Sequence, residues 1–306
     1  MSIKLEKKVK SKILLSIIIV IAIITLITFG IFDLKISKLI PSWMNENWFS
    51  IIFDVFGLIV VTLPAYFLLF LTFLVISFKY IANKKWKIFW YMFFQIFALV
   101  TILVTYFSSD LLLISNNPTK IEKIELICSI IYFMLTIFAI IYINIIVFYK
   151  KYYKNIYWLI NMTKASYYAL AFLILTLLST QLLKIIFGRN RPESVIDYQN
   201  DFQYIFQINF SKQRGTSFPS GHTVSSATLL CFSYFFYLKS KKTKIWKYCT
   251  SELIWVLIIS TAVSRITMHK HFSTDVLFSI YLIIFWYYCS IKIVDAIFRK
   301  VKNRHG

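Results

Sequence analysis

Long apolar runs alternate with short polar and basic interruptions along nearly the whole chain. Eight of these runs are long enough to cross a bilayer as a helix, which takes ~20 residues each. They cover roughly 13–32, 53–78, 88–107, 125–149, 157–184, 220–238, 252–268 and 274–297. The pattern predicts an all-α, polytopic transmembrane helix bundle of about eight spans. The first run follows Lys4, Lys7, Lys8, Lys10 and Lys12, which is how a signal peptide begins. It is too long for a typical signal core and no small-residue cleavage site follows, so a retained signal anchor is expected.

The interruptions carry a charge rhythm that predicts orientation. With the amino terminus inside, alternate loops and both tails hold 21 of the 34 lysines and arginines, and the opposite side holds 11. Lys164 and Lys292 lie within spans near their inner ends, where a long side chain can snorkel to the interface. Basic residues collect on the cytoplasmic side, so both termini are expected there. Of the 11 on the outer side, 7 lie in or beside three polar clusters described below.

Composition agrees with the pattern and removes one alternative. Hydrophobic residues make up 59% of the chain and charged residues 15%, against about 25% charged in soluble domains; mean hydropathy is +0.70. A net charge of +21 would suggest nucleic acid in a soluble protein. Here the positive-inside bias explains it, and no nucleic-acid partner is expected. Cys128, Cys231, Cys249 and Cys289 fall in apolar stretches without metal-ligand spacing, so they read as membrane-buried thiols with no disulfide framework.

The three polar clusters lie at ends of predicted spans, where ionisable groups are usually functional. The first holds Lys184, Arg191 and Pro192. Lysine and arginine side chains curling to one point at the interface match phosphate oxygens in charge and, for arginine, in geometry; Lys184 alone would also fit a snorkelling belt. The second is Pro219-Ser220-Gly221-His222, opening the sixth span. Proline and serine are good helix-start residues, the serine able to cap, and free N–H groups at a helix start bind anions. Capping explains the proline and serine but not Gly221 and His222. The third holds Ser264-Arg265, His271 and Asp275. His271 and Asp275 are spaced to share a helix face and hydrogen-bond, which would fix the histidine tautomer. A cap with a satisfied imidazole is the plainer alternative, but Arg265 adds a third cation that needs an anion. His269 lies off the Asp275 face and is expected to have a loop or supporting role; Lys212 and Arg214 either attract anionic headgroups or form a solvated basic rim.

Lys184-x6-Arg191-Pro192, Pro219-Ser220-Gly221-His222 and Ser264-Arg265-x5-His271-x3-Asp275 together resemble the tripartite signature of the type 2 phosphatidic acid phosphatase superfamily, which includes vanadium haloperoxidases and glucose-6-phosphatase. The resemblance covers roughly residues 160–297. It implies a six-helix phosphatase core over 86–298, preceded by a pair of transmembrane helices in 1–85 and followed by a basic cytoplasmic tail, 299–306.

The resemblance also implies site roles. His271 would attack phosphorus, Asp275 would orient it, and His222 would protonate the departing oxygen. Lys184, Arg191, Ser220, Gly221 and Arg265 would hold the phosphate. Three cations and oriented amides suit a developing phosphoryl transition state, so neither a metal nor a cofactor is expected. The expected partner is a lipid phosphate in the bilayer: phosphatidic acid, phosphatidylglycerol phosphate, undecaprenyl diphosphate or lipid A. The alternative is a phosphotransferase passing the phosphate to an acceptor lipid. A Lys- and Ile-rich composition suits an AT-rich bacterial genome, which places the expectation in a bacterial inner membrane with the site on the periplasmic or extracytoplasmic side.

Overall fold

Polar residues at the breaks in the apolar pattern set where the helices begin. In the computed structural model, residues 2–107, 119–211, 214–236 and 241–305 are described, and these contain helices and no strand. Helix α1 spans Ser2–Leu39; after a 3-10 turn over Ser42–Glu46 comes α2, Trp48–Ile59. Asn47 starts α2 by accepting the Phe49 N–H at 3.1 Å, satisfying a first-turn donor. Helix α3, Thr62–Tyr80, continues the same apolar run after a break at Val60 and Val61. Pro64, in its first turn, has no N–H to offer the Val60 carbonyl, so the ladder is interrupted there.

Helix α4 is Lys84–Phe107 and α5 is Lys120–Tyr149. Helix α5 opens with a reciprocal cap in which Thr119 Oγ1 accepts the Glu122 N–H at 3.2 Å and Glu122 accepts the Thr119 N–H at 2.7 Å. Helix α6, Ile156–Phe187, begins at Asn155, which accepts the Trp158 N–H at 3.1 Å. The remaining helices are α7 (Pro192–Ile196), α8 (Gly221–Ala227), α9 (Lys241–Thr267) and α10 (Ser273–His305).

The chain is an all-α polytopic bundle, with seven helical segments among the described residues long and apolar enough to cross a membrane: α1, α2 with α3, α4, α5, α6, α9 and α10. The expected span over 220–238 takes another form. It is the short α8 followed by a 3-10 helix over Thr228–Phe235. Hydroxyl side chains account for the tightening. Ser226, Thr228 and Ser233 donate to the carbonyls three residues before them, of Thr223, Ser225 and Leu230, at 2.6–2.8 Å. Such bonds compete with the ordinary ladder and favour a 3-10 turn.

This segment still runs alongside α10 from Ser279 to Ser290. At one end the Ser220 N–H donates to Ser279 Oγ; at the other, Ser233 meets the Tyr287 hydroxyl and Tyr234 meets Ser290 Oγ. Its side chains Val224, Ala227, Leu230 and Cys231 are buried in one core cluster with Ala169 and Phe172 of α6, Ile258 of α9 and Ile283 of α10. A second cluster joins α2 and α3 to α4 and α5 through Ile51, Phe70, Ile102 and Cys128.

Large apolar side chains also cover the outside, among them Ile131, Leu135 and Phe138 on α5 and Ile174 and Leu178 on α6. Such a surface suits lipid and not water. Buried hydroxyl groups are spread through the bundle, but the buried acidic and basic side chains among the described residues are Asp33, Arg189, Arg265, His271 and Asp275. Helix α1 packs on α10, and α2 packs on α5, α8 and α9, so the two N-terminal spans lie against the helices that carry the three clusters.

Candidate active site

Helix α6 delivers the first cluster. Lys184 stands in its last turn, and the helix ends at Gly188, which takes the left-handed conformation (φ 58°) while its N–H reaches the Lys184 carbonyl at 3.0 Å. A left-handed C-terminal residue favours glycine because any Cβ there is strained. Arg214 donates to the Ile185 and Ile186 carbonyls at 2.6 and 2.7 Å, so its charge caps the helix and does not stand as a free basic rim. Lys212 lies outside the described residues.

Beyond Gly188 the chain buries Arg189 fully and leaves Arg191 partly exposed. Arg191 is half-buried, donates to Thr216 at 3.3 Å and lies 3.5 Å from Glu193. Arg189, which stands between Lys184 and Arg191 in the first cluster, is the largest fully buried side chain among the described residues. Its guanidinium contacts Asp275 at 2.6 Å and Asp33 of α1 at 2.9 Å, donates to the Gln203 carbonyl at 2.9 Å, and lies over the Phe272 ring at 4.3 Å. Asp33 in turn accepts from Ser273 Oγ at 2.6 Å and the Thr274 N–H at 3.0 Å, capping the start of α10.

The second cluster opens α8. Ser220 occupies the N-cap position, but its side chain makes no cap hydrogen bond; the hydroxyl pairs with Thr223 Oγ1 at 2.9 Å. Its N–H is engaged by Ser279 Oγ at 2.9 Å, so the expected serine cap is replaced by a tie to α10. Gly221 lies against Lys184: a Cβ built on it would stand 3.3 Å from the ammonium. His222 directs Nε2 toward Asp54 of α2 at 3.2 Å.

The third cluster lies across the turn between α9 and α10. Ser264 donates to the Ser50 carbonyl at 2.7 Å, pinning α9 to α2. Arg265 is buried and its Nη1 pairs with Asp54, while its Nε–H is buried with no hydrogen-bond partner among the described residues. His269 takes a left-handed turn position (φ 53°) and places Nε2 3.0 Å from the Ser37 carbonyl, a role in the loop as its spacing suggested.

His271 is held differently from the expectation. Its Nδ1 lies 2.5 Å from the Ser217 carbonyl and 3.9 Å from Asp275 Oδ2. The longer distance is a charge contact and not a hydrogen bond. A carbonyl only accepts, so Nδ1 carries the proton and Nε2 keeps its lone pair. Asp275 acts one step back: it accepts from Ser217 Oγ at 2.5 Å and from the Phe272 N–H at 2.9 Å. Burial is the first cause that holds His271 well below the ordinary imidazole value of 6.5; Arg265, Lys184, His222 and Arg191 add to it. The predicted residues therefore converge electrostatically on one buried, neutral imidazole.

Residues 164–299 match the family model of the PAP2 superfamily. This part of the chain is similar to that superfamily. No curated protein and no solved structure matched the chain. The matched residues include all three clusters, and the superfamily together with the apolar helices fits a membrane phosphatase.

Four residues of the site escaped the motif reading: Asp33, Asp54, Arg189 and Ser217. Ser217 and Arg189 sit among polar neighbours and carry no distinguishing spacing. Asp33 and Asp54 did have a signal. Each is a single carboxylate at the end of an otherwise apolar run, a position that is costly unless a partner waits for it.

Proposed function

We propose that the protein is an integral membrane lipid phosphatase that hydrolyses a phosphomonoester or diphosphate on a lipid through a phosphohistidine. The observation that carries this reading is His271: neutral, buried, with Nδ1 held by the Ser217 carbonyl and the Nε2 lone pair left for attack. Nε2 bonds to phosphorus as the P–O bond to the lipid breaks, and His222 gives a proton to the departing oxygen. Water then attacks the phosphohistidine, returning a proton to His222 and releasing phosphate. The covalent step divides one difficult displacement into two easier ones.

Lys184, Arg191 and Arg265, with Ser220 and the Gly221 amide, hold the phosphoryl oxygens. The buried, unpartnered Arg265 Nε–H is a donor of the kind such an oxygen satisfies. As the attack places positive charge on His271, the Ser217 carbonyl and the nearby Asp275 carboxylate stabilise it. The positive-inside bias supports an extracytoplasmic site, with the lipid tail remaining in the bilayer; phosphatidic acid, phosphatidylglycerol phosphate, undecaprenyl diphosphate and lipid A are the candidate substrates.

The test is phosphate release from a panel of these lipids by purified wild type and by His271→Ala, in detergent with EDTA. Release from one lipid by wild type, abolished in the variant, supports the reading. Release that stops with EDTA, or transfer only in the presence of an acceptor lipid, contradicts hydrolysis by a metal-independent histidine.

A further inference from the structure

The second histidine has a carboxylate partner that the three clusters do not supply. Asp54 lies on α2, outside the matched residues 164–299. Its Oδ1 stands 3.2 Å from His222 Nε2 and also lies against Arg265 Nη1; these are charge contacts, and the buried oxygen has no hydrogen-bond partner among the described residues, so it is an acceptor still open to the ring N–H. Helix α2 reaches this close because residue 57, one turn along, is glycine: a Cβ there would stand 3.0 Å from His222 Cβ and 2.8 Å from Thr261 Cγ2. One face of α2 thus presses on His222 with its backbone and engages the ring with its carboxylate.

The charges around His222 explain what that carboxylate is for. Burial first, then the charges of Lys184 and Arg191, push the His222 ring down from 6.5 to about 4, and Arg265 lies behind Asp54. Asp275, the carboxylate of the third cluster, is bonded to Arg189, Ser217 and the Phe272 N–H. A general acid must hold a proton before it can give one, and a ring set among cations resists protonation.

We propose that Asp54 is the positioning residue of the general acid: once the substrate's phosphate offsets the surrounding cations, it accepts the His222 Nε2–H, favours the charged ring and orients it so that Nδ1–H protonates the leaving oxygen. This rests on the phosphohistidine reading above. In the step itself the Nδ1 proton moves to the oxygen as the P–O bond breaks, and the Nε2 proton stays on the ring, donated to Asp54 in a hydrogen bond.

The test compares kcat/KM, which reports leaving-group departure whatever the rate of the later hydrolysis, for an alkyl lipid phosphate and for 4-nitrophenyl phosphate. An alkoxide needs the proton; nitrophenolate departs without it. Asp54→Asn is expected to lower kcat/KM on the alkyl ester about a hundredfold and on the nitrophenyl ester about threefold or less. Its alkaline limb should move to lower pH, and Asp54→Glu should restore part of the alkyl rate. The nitrophenyl rate also reports that the variant is folded. An equal loss on both esters would make Asp54 structural. A gain in kcat/KM, with tighter inhibition by vanadate, would make it a plug over the phosphate seat; either outcome overturns the proposal. His222→Ala separates the two levels. If it lacks the same leaving-group dependence, or if wild type hydrolyses neither ester, the histidine reading itself fails and the Asp54 role falls with it.

Discussion

Arg189 sits 1% exposed between Asp33 and Asp275, whose side chains are 0% exposed. A guanidinium out of water needs both carboxylates, and they need it. Arg189→Met leaves two buried anions unpaired and is expected to destabilise the protein by about 3–5 kcal/mol, read as a lowered melting temperature in detergent. Arg189→Lys should recover little, because one ammonium cannot replace a planar fork that contacts both acids.

His271 gives a pH prediction with a definite sign. Its folded value is lowered from 6.5, so the ring stays neutral as pH falls past 6.5 and protonates only well below it. The acid limb of kcat/KM set by this group should therefore lie below pH 6.5; a limb at or above 6.5 would contradict a buried neutral nucleophile. Over the same window an unfolded histidine takes up a proton before the folded one. This group therefore withdraws stability as pH falls below 6.5 and leaves it unaffected above.

The spacing of Lys184, Arg191, His222, Arg265 and His271 made those residues legible in the sequence. The partners Asp33 and Asp54 were not legible as partners. A lone carboxylate in an apolar run signals a buried contact without saying which residue, 156 positions on for Asp33 with Arg189, completes it. The role of Ser217 depends on its carbonyl, and no side-chain pattern reports that.

At the scale of elements, α2 decides how the site is closed. Gly57→Ala would put a methyl group against Thr261 and His222 at less than ordinary contact distance. It should push α2 outward and separate Asp54 from His222, lowering kcat on the alkyl lipid phosphate about tenfold or more with little change in KM. Steady-state kinetics on the lipid substrate check this, and an unchanged kcat would show that α2 moves without consequence.

The helical character and most span boundaries followed from apolar run length. The segment opening at Ser220 did not, because an apolar run does not reveal whether its hydroxyls point to lipid or back to the carbonyls three residues before. Ser226, Thr228 and Ser233 do the latter, and the segment becomes a short helix with a 3-10 continuation. Likewise, the two N-terminal spans looked separable from the core by sequence, yet α1 supplies Asp33 and α2 supplies Asp54 to it.

For the molecule as a whole, the charge rhythm makes a topological prediction. In a background with Cys128, Cys231, Cys249 and Cys289 replaced, Phe210→Cys should react with a membrane-impermeant maleimide on intact cells. Lys151→Cys should react only after permeabilisation; both positions are exposed. The reverse labelling would place the site on the cytoplasmic side.

The whole bundle converges on a single chemical event, the transfer of a phosphoryl group to His271 Nε2. The most direct measurement is to mix the purified protein with a lipid carrying labelled phosphate, quench in base, and locate the label by peptide analysis. A base-stable, acid-labile label on His271 in wild type, absent from His271→Ala, is the predicted result. Phosphate release from wild type without a label on His271, or release that persists in His271→Ala, would contradict it.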